Sequence, residues 1–305
     1  MISRVEDAPT FALIGAAGYI APKHGAAIKA VGGRLVAACD VLDAVGWLDK
    51  DWPECRFVRC DPTAVYQPFW WGMDATPDYF VVCSPNDHHL ASATSHAFSA
   101  GRVICEKPLA LTSAGLDELH QASASGWSVY TIMNLRHHPE VLRAKRCAEE
   151  RRPYDVLVEY FAPRGPWYDV SWKGDTARSG GLIFNVGIHA LDALLWMFGP
   201  ATVLEASTVN ARTIAVTLEH KHALYTIIRS KLLLSTDPKA DPRRRIKFNW
   251  MDGSEERFDL SAAYSLADDP SGHIACYREI LAGNGPGIAE ARPGIELCER
   301  INAAL

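Results

Sequence analysis

The sequence predicts an α/β half with a parallel sheet, followed by an α+β half on an open, mainly antiparallel sheet with helices on one face. Three observations predict it. Short apolar runs alternate with helically spaced stretches up to about residue 110, and longer strand-like runs without that alternation begin after Arg152. The third is length: 305 residues exceed what one hydrophobic core, roughly 250 to 300 residues at most, usually serves. The expected division is residues 1–134 and 135–305.

In the first half, residues 10–14, 34–39, 79–83 and 102–105 read as strands, and residues 22–31 and 88–100 read as helices. A further strand over 128–133 completes the sheet. This βαβ order requires right-handed crossovers and places ligands at the carboxyl ends of the strands. A charged helix running to Arg152 leads into the second half, where residues 155–161, 201–209, 213–219, 223–230 and 245–250 read as strands joined by short turns. Two helices are expected there, at 188–198, closed by Gly199-Pro200, and at 273–281, closed by Gly283. The Trp- and Pro-rich stretch from 49 to 78 carries no motif.

Composition narrows the function classes. Net charge is -5, so no basic surface of the kind that nucleic acid requires is expected. Arg243-Arg244-Arg245 reads as a solvated turn before a strand. No apolar run reaches the roughly 18 residues of a membrane span, and the first ten residues lack a secretory pattern, so a cytoplasmic protein is expected. The eight cysteines contain no C-x-x-C pair; they read as reduced thiols, several of them on strands, and no metal site is expected.

The first strand ends in Gly15-Ala-Ala-Gly18-Tyr19-Ile20-Ala21, where small residues let backbone approach a pyrophosphate at a helix N-terminus. Ala17 stands where a G-x-G-x-x-G loop has its second glycine. Asp40 closes the second strand, where a carboxylate accepts ribose hydroxyls and opposes a 2′-phosphate, favouring NAD; it also suits a simple turn. Ser84-Pro-Asn86 with His89, and Glu106-Lys107-Pro108, directly follow two further strands.

Together these motifs resemble the glucose-fructose oxidoreductase/inositol dehydrogenase (Gfo/Idh/MocA) family, whose members join a Rossmann domain to an open antiparallel sheet. The resemblance implies NAD as cofactor, held by Gly15, Ala17, Gly18, Tyr19, Ile20, Asp40, Ser84, Asn86, His89 and Glu106, with Lys107 beside nicotinamide and substrate. Arg136 faces cofactor or substrate, or caps the domain junction. In the second half the family's D-x-x-x-H motif is matched by Asn185-Val-Gly-Ile-His189, with an amide in place of the carboxylate. Four residues apart on a helical turn, the two share a face. An amide orients a hydroxyl but takes no proton, so Lys107 and His189 are the expected proton acceptors.

The loop running through Arg164, Trp167, Tyr168, Ser171, Trp172 and Lys173 offers aromatic faces for sugar or uracil and cations for carboxylate or diphosphate; equally, it can cover the sheet. With Leu135-Arg-His-His-Pro139 and Tyr277-Arg-Glu-Ile-Leu-Ala-Gly-Asn-Gly285, it is similar to one branch of the family. That branch comprises the UDP-N-acetyl-2-amino-2-deoxyglucuronate 3-dehydrogenases of bacterial surface-polysaccharide (O-antigen) synthesis. The resemblance implies oxidation at the sugar C3 hydroxyl, 2-oxoglutarate as hydride acceptor in some relatives, and a homo-oligomer, dimer or tetramer. The alternatives are another nucleotide sugar, a free polyol, or a non-catalytic NAD-binding sensor or scaffold.

Overall fold

The structure, a computed structural model, describes residues 8–61, 75–123, 126–222, 226–261, 269 and 271–305. The chain divides into two compact units. One comprises 1–110, 114–132 and 273–289; the other 111–113, 133–272 and 290–305.

The first unit runs β1 (Thr10–Ile14), α1 (Ala21–Ala30), β2 (Arg34–Asp40), α2 (Gly46–Asp51), β3 (Arg56–Arg59), β4 (Tyr79–Val82), α3 (His89–Ala100), β5 (Arg102–Cys105), α4 (Ser113–Ser123) and β6 (Ser128–Thr131). Every strand pair is parallel, in the order β3-β2-β1-β4-β5-β6. A parallel sheet covered on both faces requires strands that are apolar throughout, and Phe11, Leu13, Ile14, Val81, Val82 and Ile104 are fully buried. β1 lies centrally, so its carboxyl end sits where the strand order reverses, the crevice that takes ligands in such sheets.

The second unit holds α5 (Pro139–Glu150), β7 (Asp155–Phe161), α6 (Trp167–Val170), α7 (Thr176–Ser179), α8 (Ile188–Phe198), β8 (Ala201–Asn210), β9 (Thr213–His222), β10 (Thr226–Ser235), β11 (Arg243–Asn249) and β12 (Glu255–Asp259). Its sheet order is β12-β11-β7-β10-β9-β8, antiparallel except for the β7–β10 pair. Residues alternate along β10: Ile228, Ser230, Leu232 and Leu234 are buried while Ile227, Arg229 and Lys231 are exposed, as a sheet with one covered face requires. The helical run Thr176–Phe198 has the length and apolar composition of a membrane span, but 67% of it is buried within the protein, as befits a core helix.

Three details depart from the sequence reading. Residues 273–289 belong to the first unit, because α9 (His273–Leu281) puts Ile274, Tyr277 and Ile280 into that unit's core; α10 (Ile288–Ala304) then carries the chain back. Arg243, Arg244 and Arg245 form the start of β11 rather than a turn: Arg243 and Arg245 pair with Glu159, and Arg244 lies over Tyr160. The motif-free stretch contains the second half of α2 and all of β3; its residues 62–74, like residues 223–225 of an expected strand, lie outside the described residues.

Candidate functional site

At the carboxyl end of β1, Gly15 adopts φ +87°, and a Cβ there would lie 2.7 Å from the backbone of Cys83 and Ser84. Gly15 and Ala16 both donate their N–H groups to the Cys39 carbonyl, at 2.9 and 3.1 Å, pinning the loop to β2. Gly18 is also confined, since its Cβ would stand 3.1 Å from the Gly15 carbonyl oxygen. Ile20 precedes α1, whose first turn carries Pro22, and Tyr19 projects into solvent, 81% exposed. Replacing Gly15 by alanine is expected to cost about 2 kcal/mol or more in backbone strain alone, and to weaken NAD binding, which a fluorescence titration reads.

Asp40 organises this loop from the end of β2: its carboxylate accepts the N–H of Ala17 and of Leu42, each at 2.9 Å. A carboxylate fixed there leaves lone pairs for ribose hydroxyls and repels a 2′-phosphate. At the end of β4, the buried Ser84 hydroxyl has no partner among the described residues, as a group awaiting a ligand would. Asn86 is buried in the short 3-10 turn Asn86–His88. The loop therefore fits a dinucleotide.

Two expected cofactor contacts have their polar atoms turned into the protein. His89 lies between the carbonyls of Ser84, at 2.9 Å, and Pro108, at 2.6 Å, joining the S-P-N loop to the cis Lys107-Pro108 turn. The Glu106 carboxylate is buried against His24 and His273. Lys107 follows at the end of β5, partly buried.

In the second unit Tyr168, on α6, is buried, and its hydroxyl accepts from the Asn185 amide at 2.8 Å. Asn185 sits in a π-helical turn, Ile183–Gly187, a rare element often found at functional sites, which runs directly into α8 and the half-buried His189. Arg212 pairs with Asp169 and lies 5.8 Å from the Tyr168 ring. The Ser171 hydroxyl donates to the Tyr168 carbonyl at 2.9 Å, and the Lys173 ammonium lies 4.2 Å from the Trp172 ring. Trp167 is half-exposed; the Arg164 backbone N–H donates to the Thr236 carbonyl, just past β10, at 3.1 Å.

Arg136, which the sequence leaves facing cofactor or substrate or capping the domain junction, grips Asp192 of α8 with two hydrogen bonds, at 2.6 and 2.9 Å. It thus fixes the helix that bears His189. Asp192, His24, His273 and Arg212 went unassigned in the sequence because their partners lie 56, 82, 167 and 43 residues away.

Burial also shapes the titration of three histidines. Loss of hydration lowers the pKa of His24, His89 and His220, each of which is neutral when folded. The unfolded chain takes up those protons below pH about 6.5 while the folded chain does not, so stability present above that pH is lost as pH falls. The free energy of unfolding, read by urea titration, is expected to fall between pH 7.5 and 5.5, most steeply below about 6.5, by up to about 1.4 kcal/mol per pH unit for each proton.

Comparison with known proteins agrees with this geometry. The family described as "Oxidoreductase family, NAD-binding Rossmann fold" matches residues 10–132, and "GFO/IDH/MocA C-terminal domain" matches 152–227. The chain is 34% identical to the WlbA (WbpB) dehydrogenase from Thermus thermophilus, crystallised with NAD and alpha-ketoglutarate, over 97% of this chain and 96% of that one, with a TM-score of 0.84. The chain belongs to the Gfo/Idh/MocA oxidoreductase family.

A second structure, the same Thermus enzyme with NAD and UDP-GlcNAcA, is 36% identical over 95% of this chain and 93% of that one, with a TM-score of 0.80. Inositol 2-dehydrogenase 2 of Saccharopolyspora erythraea is 28% identical over 46% of this chain and 40% of its own length. The chain spans between 35% and 60% of the curated relatives it matches. The chain is a member of an oxidoreductase family, and its residues 10–132 match that family's NAD-binding Rossmann fold.

Proposed function

We propose that the chain oxidises the C3 hydroxyl of a UDP-linked N-acetylated sugar, with UDP-N-acetylglucosaminuronic acid as substrate and its 3-keto form as product. The observation that carries this reading is likeness, at 34% and 36% identity over nearly the whole chain, to an enzyme crystallised with UDP-GlcNAcA. NAD, when bound, supplies the hydride acceptor. Lys107 and His189 are the catalytic residues, and either can take the hydroxyl proton. Asn185 orients a hydroxyl, and its bond to Tyr168 leaves the tyrosine O–H to donate elsewhere. Arg164, Trp167, Tyr168, Ser171, Trp172 and Lys173 bind the nucleotide sugar, rings against sugar or uracil and cations against its anions.

The reading extends to 2-oxoglutarate as the final hydride acceptor, to a cytoplasmic role in surface-polysaccharide synthesis, and to a homo-oligomer joined through the exposed sheet face bearing Leu204, Val209 and Ile227. The partial match to an inositol dehydrogenase supports a second reading, a free polyol as substrate. Purified protein incubated with UDP-N-acetylglucosaminuronate and 2-oxoglutarate is expected to yield a sugar lighter by two hydrogens and an equal amount of 2-hydroxyglutarate. Turnover of myo-inositol but not of the uronate would replace the first reading by the second.

A further inference from the structure

Glu106 immediately precedes Lys107, yet its carboxylate is turned into the core of the first unit, 7% exposed. One oxygen accepts from His24 Nε2 at 3.1 Å and from His273 Nε2 at 3.0 Å. The other accepts the Lys107 backbone N–H at 3.2 Å. His24 Nδ1 lies 2.9 Å from the Tyr277 hydroxyl. Because His24 Nε2 carries the proton given to Glu106, Nδ1 is an acceptor and Tyr277 donates to it. The two histidine rings meet edge-on, with centroids 4.9 Å apart. Three separate elements, α1, the end of β5 and α9, supply these groups, and His24 and Tyr277 are completely buried.

A buried carboxylate is costly, and apolar residues of the same volume would fill the space at least as stably. Burial pushes the Glu106 carboxyl up, but the histidine hydrogen bonds outweigh it and hold the group well below its ordinary range, as an anion. What the polar cluster adds over an apolar one is orientation: every donor meets one acceptor, so residue 106 has one arrangement. The two imidazole nitrogens and the carboxylate lie within 4.8 Å of one another, a spacing a metal ion also tolerates. The donor order from Tyr277 through His24 to Glu106, met from the far side by His273, satisfies these atoms with protons instead.

We propose that His24, His273 and Tyr277 are positioning residues that clamp Glu106 and thereby fix the backbone on which Lys107 is mounted. The clamp's bearing on catalysis rests on the assignment of Lys107 above; its effect on the backbone does not. Glutamine places an amide N–H near the position of imidazole Nε2, whereas leucine keeps bulk and removes the donor.

The deciding measurement is amide hydrogen exchange at Lys107, in the full chain with NAD and without sugar. His24→Leu and His273→Leu are expected to speed it about tenfold while Val81 and Ile104 exchange as before, and His24→Gln and His273→Gln to restore most of the protection. Tyr277→Phe, which removes a single hydroxyl, is expected to speed it about threefold and carries the test if the leucine variants do not fold. In turnover, the leucine variants should lose about tenfold in kcat with KM nearly unchanged, and the glutamine variants should recover it. Unaltered exchange at Lys107 in the folded variants would overturn the clamp, as would one equivalent of tightly bound transition metal in the purified protein. A wild-type protein that oxidises no sugar, yet shows the exchange pattern, would retain the clamp and reject the catalytic reading of Lys107.

Discussion

Lys107→Ala and His189→Ala are each expected to lower kcat for the uronate by about 10² to 10⁴, with NAD affinity and unfolding midpoint unchanged. The size follows from chemistry: a hydride leaves a carbon readily only as its hydroxyl loses a proton, and Asn185 takes no proton. Under the proposed reaction both serve the same hydroxyl, so their effects should not add, and the double variant should fall little below the weaker single one. Steady-state kinetics beside a calorimetric NAD titration separates this loss from a binding defect. A double variant with wild-type turnover would remove both residues from the mechanism.

Asp192→Ala is expected to destabilise the second unit by about 3 kcal/mol, the lower end of the range for breaking a buried ion pair. The side chains of Arg136 and Asp192 are only 18% and 5% exposed, so the orphaned guanidinium would sit in a poorly hydrated site. Asp192 is three residues beyond His189 on α8, so kcat should fall as well. Replacing both partners together, as Arg136→Met with Asp192→Leu, should recover much of the stability, since neither charge is left alone. Urea unfolding of the two singles and the double measures the coupling; additive losses would mean that the pair holds nothing in place.

How far the sequence could be read depended on whether a segment's pattern matched its environment. β1, β4 and β5 are covered on both faces and appear as plain apolar runs. β3, with the sequence Arg-Phe-Val-Arg at the sheet edge, and β12, Glu-Glu-Arg-Phe-Asp, expose too much to stand out from loops. The arginines that open β11 resemble a turn until Glu159, Tyr160 and Phe161 on the neighbouring strand are seen to receive them. For the site, the tight glycine turn after β1 and the carboxylate closing β2 were legible because each is local. That Glu106 and His89 are engaged by protein groups was not, and Arg136 kept three possible directions, since a sequence gives the kind of side chain but not the direction in which a distant fold turns it.

The route of the chain bears on how the molecule is assembled. It passes between the units five times, after residues 110, 113, 132, 272 and 289. The dinucleotide unit, although it begins first, is completed only when α9 arrives and sets Ile274, Tyr277 and Ile280 against Phe11, Ile28 and Tyr79. A fragment ending at residue 134 therefore lacks a wall of its own core, and during synthesis that core stays incomplete until residues 273–281 have emerged. Neither unit is a contiguous module that could be cut out or exchanged between relatives by a single crossover, so recombination within this architecture must carry the α9 segment along with the first strands.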